Sequence, residues 1–457
     1  MKLQIALNSA RGRSTTLTAE RLINLFAEKA PEGAESTSVT HGAPGLVTFV
    51  SLLGACRGIT SVLQTMYVVS GTSLYSVTQA GVTAVLGTVP GTGLVSVRNN
   101  GDIIVIVTNP DAYTYTVSTG TFAQVTDANY AGAHSVEWIN QTFVFANDDF
   151  HFIGAVGGLL PFDPLMAASA ESSPDAIVGL AKDHNELLIY GSSTLEGWQY
   201  VQTTDATAYP FDAITGATGE KGLAGRYAIV QLDNTTVWLD QNGIVRRLTA
   251  GYVPTRISTE AIEHQLASAT LSTAEMLVYI MEGHEFFALN TDVGTFVYDA
   301  NTGLWHDRIS YGLDRWKAQR SIYIWGAWYV GNYESGFISR LDLDTNTEND
   351  DFLIGTAIFP PIVFGRDRFT VNDLELAVDT ATGTLTTDPI VSLRTSRNGS
   401  TWSNGAQRGM GKTGERDGRV NWRALGQWDK LHVRFDIADP YKRAVYAAYA
   451  SIEKNDQ

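Results

Sequence analysis

The sequence predicts an all-β chain: a β-propeller of six or seven blades with an additional C-terminal β domain. A recurring hairpin carries this expectation. A hydrophobic strand, a turn of Gly, Asn, Asp, Ser or Thr, and a second strand that usually bears an aromatic make up the unit. It appears in MYVVSGTSLYSV from Met66, DIIVIVTNPDAYTYTV from Asp102, TFVFANDDFHFI from Thr142, LLIYGSSTLEGWQYV from Leu187, YAIVQLDNTTVWLD from Tyr227, FFALNTDVGTFVYD from Phe286 and WYVGNYESGFISRLD from Trp328. The starts lie roughly 40 residues apart, the interval of a blade of four short strands, whereas solenoid repeats run shorter. Composition agrees: 44% of residues are hydrophobic, with 43 Gly against 13 Pro and many Tyr, Phe and Trp, the mixture that strands and tight turns require. The single cysteine, Cys56, excludes an internal disulfide, so packing must supply the stability. Because the spacing is irregular, a meandering sandwich of unrelated hairpins is the plainer alternative.

In chain order, residues 1–50 are the least repetitive. Leu22 and Phe26 flank polar Asn24 closely enough for a strand, which is favoured over a short amphipathic helix and would pair with a distant strand or join the end domain. Residues 51–345 hold the hairpins, with loop insertions expected near 201–225 and 251–284. The clearest unit runs from Ile177 through the turn at Lys182–Asn185 to Leu187–Tyr190, then through Gly191–Thr194 to Trp198. In the second insertion Ser258 is placed to cap a short helix over Ala261–Leu266, and Ser272 with Glu275 has capping-box spacing.

The acidic stretch LDLDTNTENDD, Leu341–Asp351, reads as a solvated boundary. Its alternate oxygens suggest calcium, but Thr347 replaces the required Gly and Leu353 the bidentate Glu. Residues 346–457 form the last domain, with strands expected at Leu374–Val378, Ile390–Thr395, Val420–Arg423 and Leu431–Asp436. Between Ile390 and Arg443 there are 11 Lys and Arg against 5 Asp and Glu, a local +6 in a chain of net −16. Such asymmetry suggests an interaction surface, or a basic face balancing an acidic neighbour. The docking residues assigned on this ground are Arg408, Lys412, Arg416, Arg419 and Arg423, five cations within sixteen residues.

Chemistry is hard to place. AQRGMGKT at 406–413 resembles a phosphate loop but has turn and strand, not a helix, after Lys412 and Thr413. His284 and Glu285 lack the second zinc-protease histidine, since Ala288 occupies its position, and SRNGSTW at 396–402 is a hairpin turn lacking the acidic residue of a sialidase box. The eight histidines show no ligand spacing. No catalytic residue, metal or cofactor is therefore assigned. No apolar run approaches the roughly 18 residues that span a bilayer, and the N-terminus has no signal-like segment, so a soluble protein without a membrane anchor is expected. The net charge of −16 opposes tight, sequence-independent DNA binding.

Three stretches carry a resemblance. In SSPDAIVGLAKDHNELLIYGSSTLEGW followed by EKGLAG the residues are Pro174, Asp175, Gly191, Ser192, Ser193, Thr194, Glu196, Lys221, Gly222 and Gly225. In GKTGERDGRVNWRALG and the later ADP they are Gly411, Gly414, Glu415, Arg419, Trp422, Arg423, Leu425, Gly426, Asp439 and Pro440. At the front they are Asn24, Glu28, Pro44 and Gly45. The chain resembles the packaged-DNA stabilisation proteins, also called tail hub or nozzle proteins, of short-tailed bacteriophages. The resemblance implies a non-enzymatic propeller subunit of a homohexameric ring in the virion tail, assembled in the host cytoplasm below the portal and head-to-tail adaptor. It implies tail spike or fibre and tail plug or needle proteins as further partners, and double-stranded DNA passing through without sequence-specific binding. A propeller acting on glycans, or one binding a receptor, is the alternative. Since only the acidic stretch suggests a cation, a chelator is expected to leave the thermal midpoint unchanged; a clear drop would establish a metal site.

Overall fold

The computed structural model describes residues 1–454 except 31, 34–35, 156–158, 171–172, 202–207 and 416–418. Among the described residues, seven four-stranded antiparallel blades follow one another. Their innermost strands are Cys56–Val62, Ser96–Asn99, Ser135–Ile139, Ile177–Asp183, Ile229–Leu232, Glu275–Met281 and Ala318–Ile324, and each lies beside the next until the seventh meets the first. Each of the seven hairpins legible in the sequence falls in a different blade. Blade 7 has only three consecutive strands, ending at Phe337–Asp342; its fourth is Gly45–Ser51, paired antiparallel with Arg340 opposite Val47. This N-terminal strand closes the ring.

The core lies between blades rather than along an axis. Val69, Leu74, Ile104 and Ile106 join blades 1 and 2; Val105, Phe143 and Phe145 join blades 2 and 3; Val50, Cys56, Val68 and Ile338 join blades 7 and 1. The second strand of each blade thus buries both faces against its neighbours, which is why the hairpins read as near-continuous apolar runs. Cys56 is fully buried, which pushes its thiol up to about 12 and leaves it protonated and unreactive.

Apart from Thr347–Glu348 and Asp351–Phe352, which extend the sheet of blade 7 beyond its closing strand, the remaining strands form a two-layer sandwich. One sheet runs Leu25–Lys29, Ser38–Gly42, Ala444–Lys454, Phe369–Val378, Val420–Trp428, with Lys2–Leu3 beside Ala444–Lys454. The other runs Arg21–Ile23, Gly355–Ile358, His432–Ile437, Ile390–Ser396, Ala406–Gly409. Leu3, Leu22 and Leu25 share their core with Leu374, Trp422, Phe435 and Val445, so the first strands of the chain are sandwich strands. Arg21–Ile23 also lies parallel to Leu304–Arg308, the outermost strand of blade 6, making blade 6 and the second sandwich sheet one continuous nine-stranded sheet.

Several expectations are corrected. The first insertion holds Phe211–Gly219, the outer strand of blade 4, whose mostly exposed, Gly- and Thr-rich sequence hides its strand character. The second insertion includes Glu275–Met281, an innermost strand. Among the described residues there is one α-helix, Glu260–Leu266, and Thr259 rather than Ser258 caps it. Ser258 instead accepts from Val245 N and donates to Glu263. Residues Leu271–Thr273 make a single 3-10 turn with no side-chain cap, and Glu275 belongs to the strand beyond.

The acidic stretch is not simply solvated. Glu348 is fully buried beside the closing strand, opposite Leu46, and its carboxylate accepts from Arg308 Nη2 at 2.9 Å, Trp316 Nε1 at 2.8 Å and Ser310 Oγ at 2.5 Å. Arg308 is equally buried, lies 4.3 Å over the Trp316 ring and donates to the Pro44 carbonyl. Removing one member of a buried ion pair leaves the other uncompensated, at about 3–5 kcal/mol. Glu348→Ala is therefore expected to cost about that much in denaturant unfolding. A chain ending near Asp344, which keeps the seven hairpins but lacks Glu348, is expected to melt well below the whole chain; equal midpoints would show the pair to be dispensable.

Candidate functional site

Two surfaces combine charge with accessibility: the axial cavity of the propeller and one edge of the sandwich. The innermost strands run the same way around the axis, so residues at their beginnings gather at one mouth. There Tyr227, leading into blade 5, reaches across the ring and donates to the Leu94 carbonyl leading into blade 2, at 2.9 Å. The Arg320 guanidinium of blade 7 lies 4.7 Å over the Tyr227 ring. Arg57 packs nearby and gives its hydrogen bonds to the carbonyls of Gly71, Val89, Pro90 and Gly93. Deeper in, Arg98 grips Glu137 through Nε at 2.8 and 2.9 Å. The cavity has a volume of about 590 Å³ and is lined from all seven blades.

The sandwich edge is where each sheet ends: Ala406–Gly409 in one, Val420–Trp428 in the other. Arg408 ties them, donating from Nε to the Asn421 carbonyl at 2.9 Å, while Trp422 Nε1 donates to the Ala406 carbonyl at 2.7 Å. Arg419 and Arg423 stand 76% and 80% exposed, 3.8 Å from Glu375 and 3.7 Å from Asp373. Lys412 lies in the turn between the two strands, its backbone NH donating to Glu415. Thus Arg408, Arg419 and Arg423 belong to one edge; Arg416 lies outside the described residues.

The residues that carry the family resemblance are mostly braces. Asp175 accepts from Ser193 N, Ser193 Oγ, Thr194 N and Thr194 Oγ1. Burial opposes its charge, but these bonds hold its carboxyl below the ordinary range. A side chain at Gly191 would collide with that carboxylate, and one at Gly222 with the Ser192–Ser193 backbone. Asn24, at φ 55, donates to the carbonyls of Ile309 and Ile354 and accepts from Ile309 N, pinning the N-terminal segment between blade 6 and the sandwich. Asp439 accepts from Ile390 N.

The catalytic look-alikes fall into ordinary structure. His284 and Glu285 begin a strand, residues 406–409 are a strand, and Asn398 closes its turn by accepting from Ser400 and Thr401. Among the described residues, none group as three or more metal-ligating side chains.

A closed propeller and a trailing sandwich that share the N-terminal segment define a two-module all-β protein with its modules locked together. Comparison gives the class a family. Residues 2–346 match the family model described as bacteriophage P22 Gp10, β-propeller, and residues 359–453 match bacteriophage P22 Gp10, β-sandwich. The chain belongs to the bacteriophage P22 Gp10 family. It is 23% identical over 284 residues to the tail hub protein gp10 of Salmonella phage P22, a stretch spanning 57% of this chain and 57% of that protein. Among solved structures it is similar to the extracellular domain of a two-component system protein of B. thetaiotaomicron, at a TM-score of 0.46 and 8% identity, covering 77% of this chain and 43% of the other. It is also similar to the computationally designed protein Ika8, at 0.40 and 13%, covering 71% and 99%.

Three buried histidines couple the stability of the fold to pH. Burial, with Arg226 adding, lowers His134 to about 4; burial lowers His151, bonded to the Tyr209 hydroxyl, to about 3; burial and then Arg308 lower His306 to about 3. An unfolded chain titrates near the ordinary value of about 6.5 and so binds more protons than the folded one below that pH. Stability is therefore whole above about pH 6.5 and lost as the pH falls toward 4 and then 3. The melting midpoint is expected to fall across this window, and less steeply in His306→Phe; an unchanged slope in that variant would clear His306 of the effect.

Proposed function

We propose that the chain is a structural subunit of a phage virion, a tail hub or nozzle component that joins copies of itself, six in the arrangement the resemblance implies, into a ring below the portal and adaptor. One observation carries this reading: propeller and sandwich match two family models of one protein, in the same order, along a single chain. The relative that matches at the level of sequence is named a tail hub protein.

The conduit in this reading lies between subunits. A single propeller offers a cavity of about 590 Å³ with Tyr227 across its mouth, whereas the major groove of a duplex is by itself about 12 Å wide. A ring of heterologous contacts supplies a wider opening. The net charge of −16 suits a passage along which a polyanion moves without being held. Retention of packaged DNA until ejection would come from the closed tail, with a spike or fibre and a plug or needle as the further partners, and assembly in the host cytoplasm.

Docking to the adaptor is assigned to the sandwich edge. Exposed guanidiniums can grip carboxylates in pairs, and those of Arg419 and Arg423 are only loosely engaged at home. Arg416 and Lys412 lie in the same basic segment. Replacing Lys412 and Arg423 with Gln is expected to slow joining to purified portal–adaptor complexes and weaken its salt dependence, with little shift in the melting midpoint, since Arg423 is 80% exposed and only loosely engaged. Sedimentation together with melting separates the outcomes. Unchanged joining would remove the edge from the interface, and failure of the unaltered chain to join at all, or to form rings in electron micrographs, would overturn the hub reading.

A further inference from the structure

The axial cavity is positive in an otherwise acidic protein. Its lining includes Arg98, Lys182, Arg226 and Arg320 but only one carboxylate, Glu137, which is held by Arg98. Lys182, Arg226 and Arg320 are thus left without a balancing charge on the wall. Other acids near Tyr227 are half engaged or lie outside: Glu275 accepts from Arg315 Nη2 through Oε1, its buried Oε2 having no partner among the described residues, and Asp148 is 74% exposed beside His134.

The hydrogen-bond pattern sharpens this imbalance. Arg226 Nε and Arg320 Nη2 are buried and have no partner among the described residues. Arg57, at the same mouth, shows the contrast, since its guanidinium is spent on four backbone carbonyls. Buried donors are almost always satisfied, and for a guanidinium the strongest partner is an oxyanion. Tyr227 lies between the two arginines in this arrangement: adjacent to Arg226 in the chain, under Arg320 in space, and fixed by its bond to Leu94. The volume of about 590 Å³ is in the range of small-molecule sites.

We propose that the axial cavity is a binding site for a small tetrahedral oxyanion of the phosphate or sulfate class, held by Arg226 and Arg320 beside Tyr227. The ion supplies the missing acceptors and offsets the cationic wall, fastening blade 5 to blade 7 across the axis. The site is separate from the sandwich edge and from any passage for DNA.

The test uses the full chain with inorganic phosphate against sodium chloride at equal ionic strength and pH. The melting midpoint is expected to rise and saturate with phosphate but not with chloride, because a ligand of the folded state alone stabilises it by mass action. Arg226→Gln and Arg320→Gln should each weaken phosphate binding at least tenfold. Arg247→Gln, which removes a surface arginine paired with Asp233, should leave it unchanged. Should the cavity variants fail to fold, phosphorus resonance broadening on the unaltered protein decides: broadening reversed by sulfate and not by chloride supports the site. Equal effects of phosphate and chloride, no broadening, or full binding by folded Arg226→Gln would overturn it.

Discussion

The buried pair of Arg308 and Glu348 is the constraint on which the two modules depend. Arg308 ends the outer strand of blade 6, Glu348 follows blade 7, Trp316 lies between the two blades, and the Pro44 carbonyl belongs to the segment about to become the closing strand. Three stretches of chain, around Pro44, Arg308–Trp316 and Glu348, therefore meet at two charges. In a dry site such charges tolerate little displacement, because misplacement leaves one of them uncompensated. The pair thus sets where the N-terminal segment turns from sandwich to propeller. Asn24 fixes the same segment one step earlier, between Asp307 and Ile309 of blade 6 and Ile354 of the sandwich.

The blades were legible because each carries a hairpin whose turn residues and apolar strands are local features. Ring closure was not: nothing in Gly45–Ser51 names Phe337–Asp342 as its partner, since pairing across nearly three hundred residues leaves no periodicity in either segment. The acidic stretch misled for a similar reason. Asp342 and Asp344 are surface residues, and only tertiary packing separates them from Glu348, which has the same chemistry in the sequence. Ala444–Lys454 went unassigned because its alanines favour helix by propensity. In the structure those small side chains let it lie centrally in the sandwich, between Phe369–Val378 and Ser38–Gly42.

The basic segment was visible from charge alone, and Arg408, Arg419 and Arg423 lie on one sandwich edge. The sequence could not reveal that Arg408 is partly consumed in tying the two sheets together, a use that appears only when the Asn421 carbonyl is seen beside it. The axial arginines were missed altogether. Arg226 and Arg320 lie far apart in the chain among unremarkable neighbours, and only the circular arrangement of blades turns the beginnings of the innermost strands into one surface.

Closure by an N-terminal strand also sets a timetable. Residues 45–51 leave the ribosome long before their partners at 337–342, and Lys2–Leu3 and Thr40–His41 wait longer still for Ala444–Lys454. At synthesis rates of about 5–20 residues per second, the first segment remains unpaired for roughly 15–60 s. During that interval blades 1 to 6 can form as local hairpins, but neither module can be completed. An exposed, β-prone segment is a hazard for as long as it waits. Its short strands, interrupted by Asn24 in the left-handed region and by Pro44, give a neighbouring nascent chain little continuous edge on which to pair.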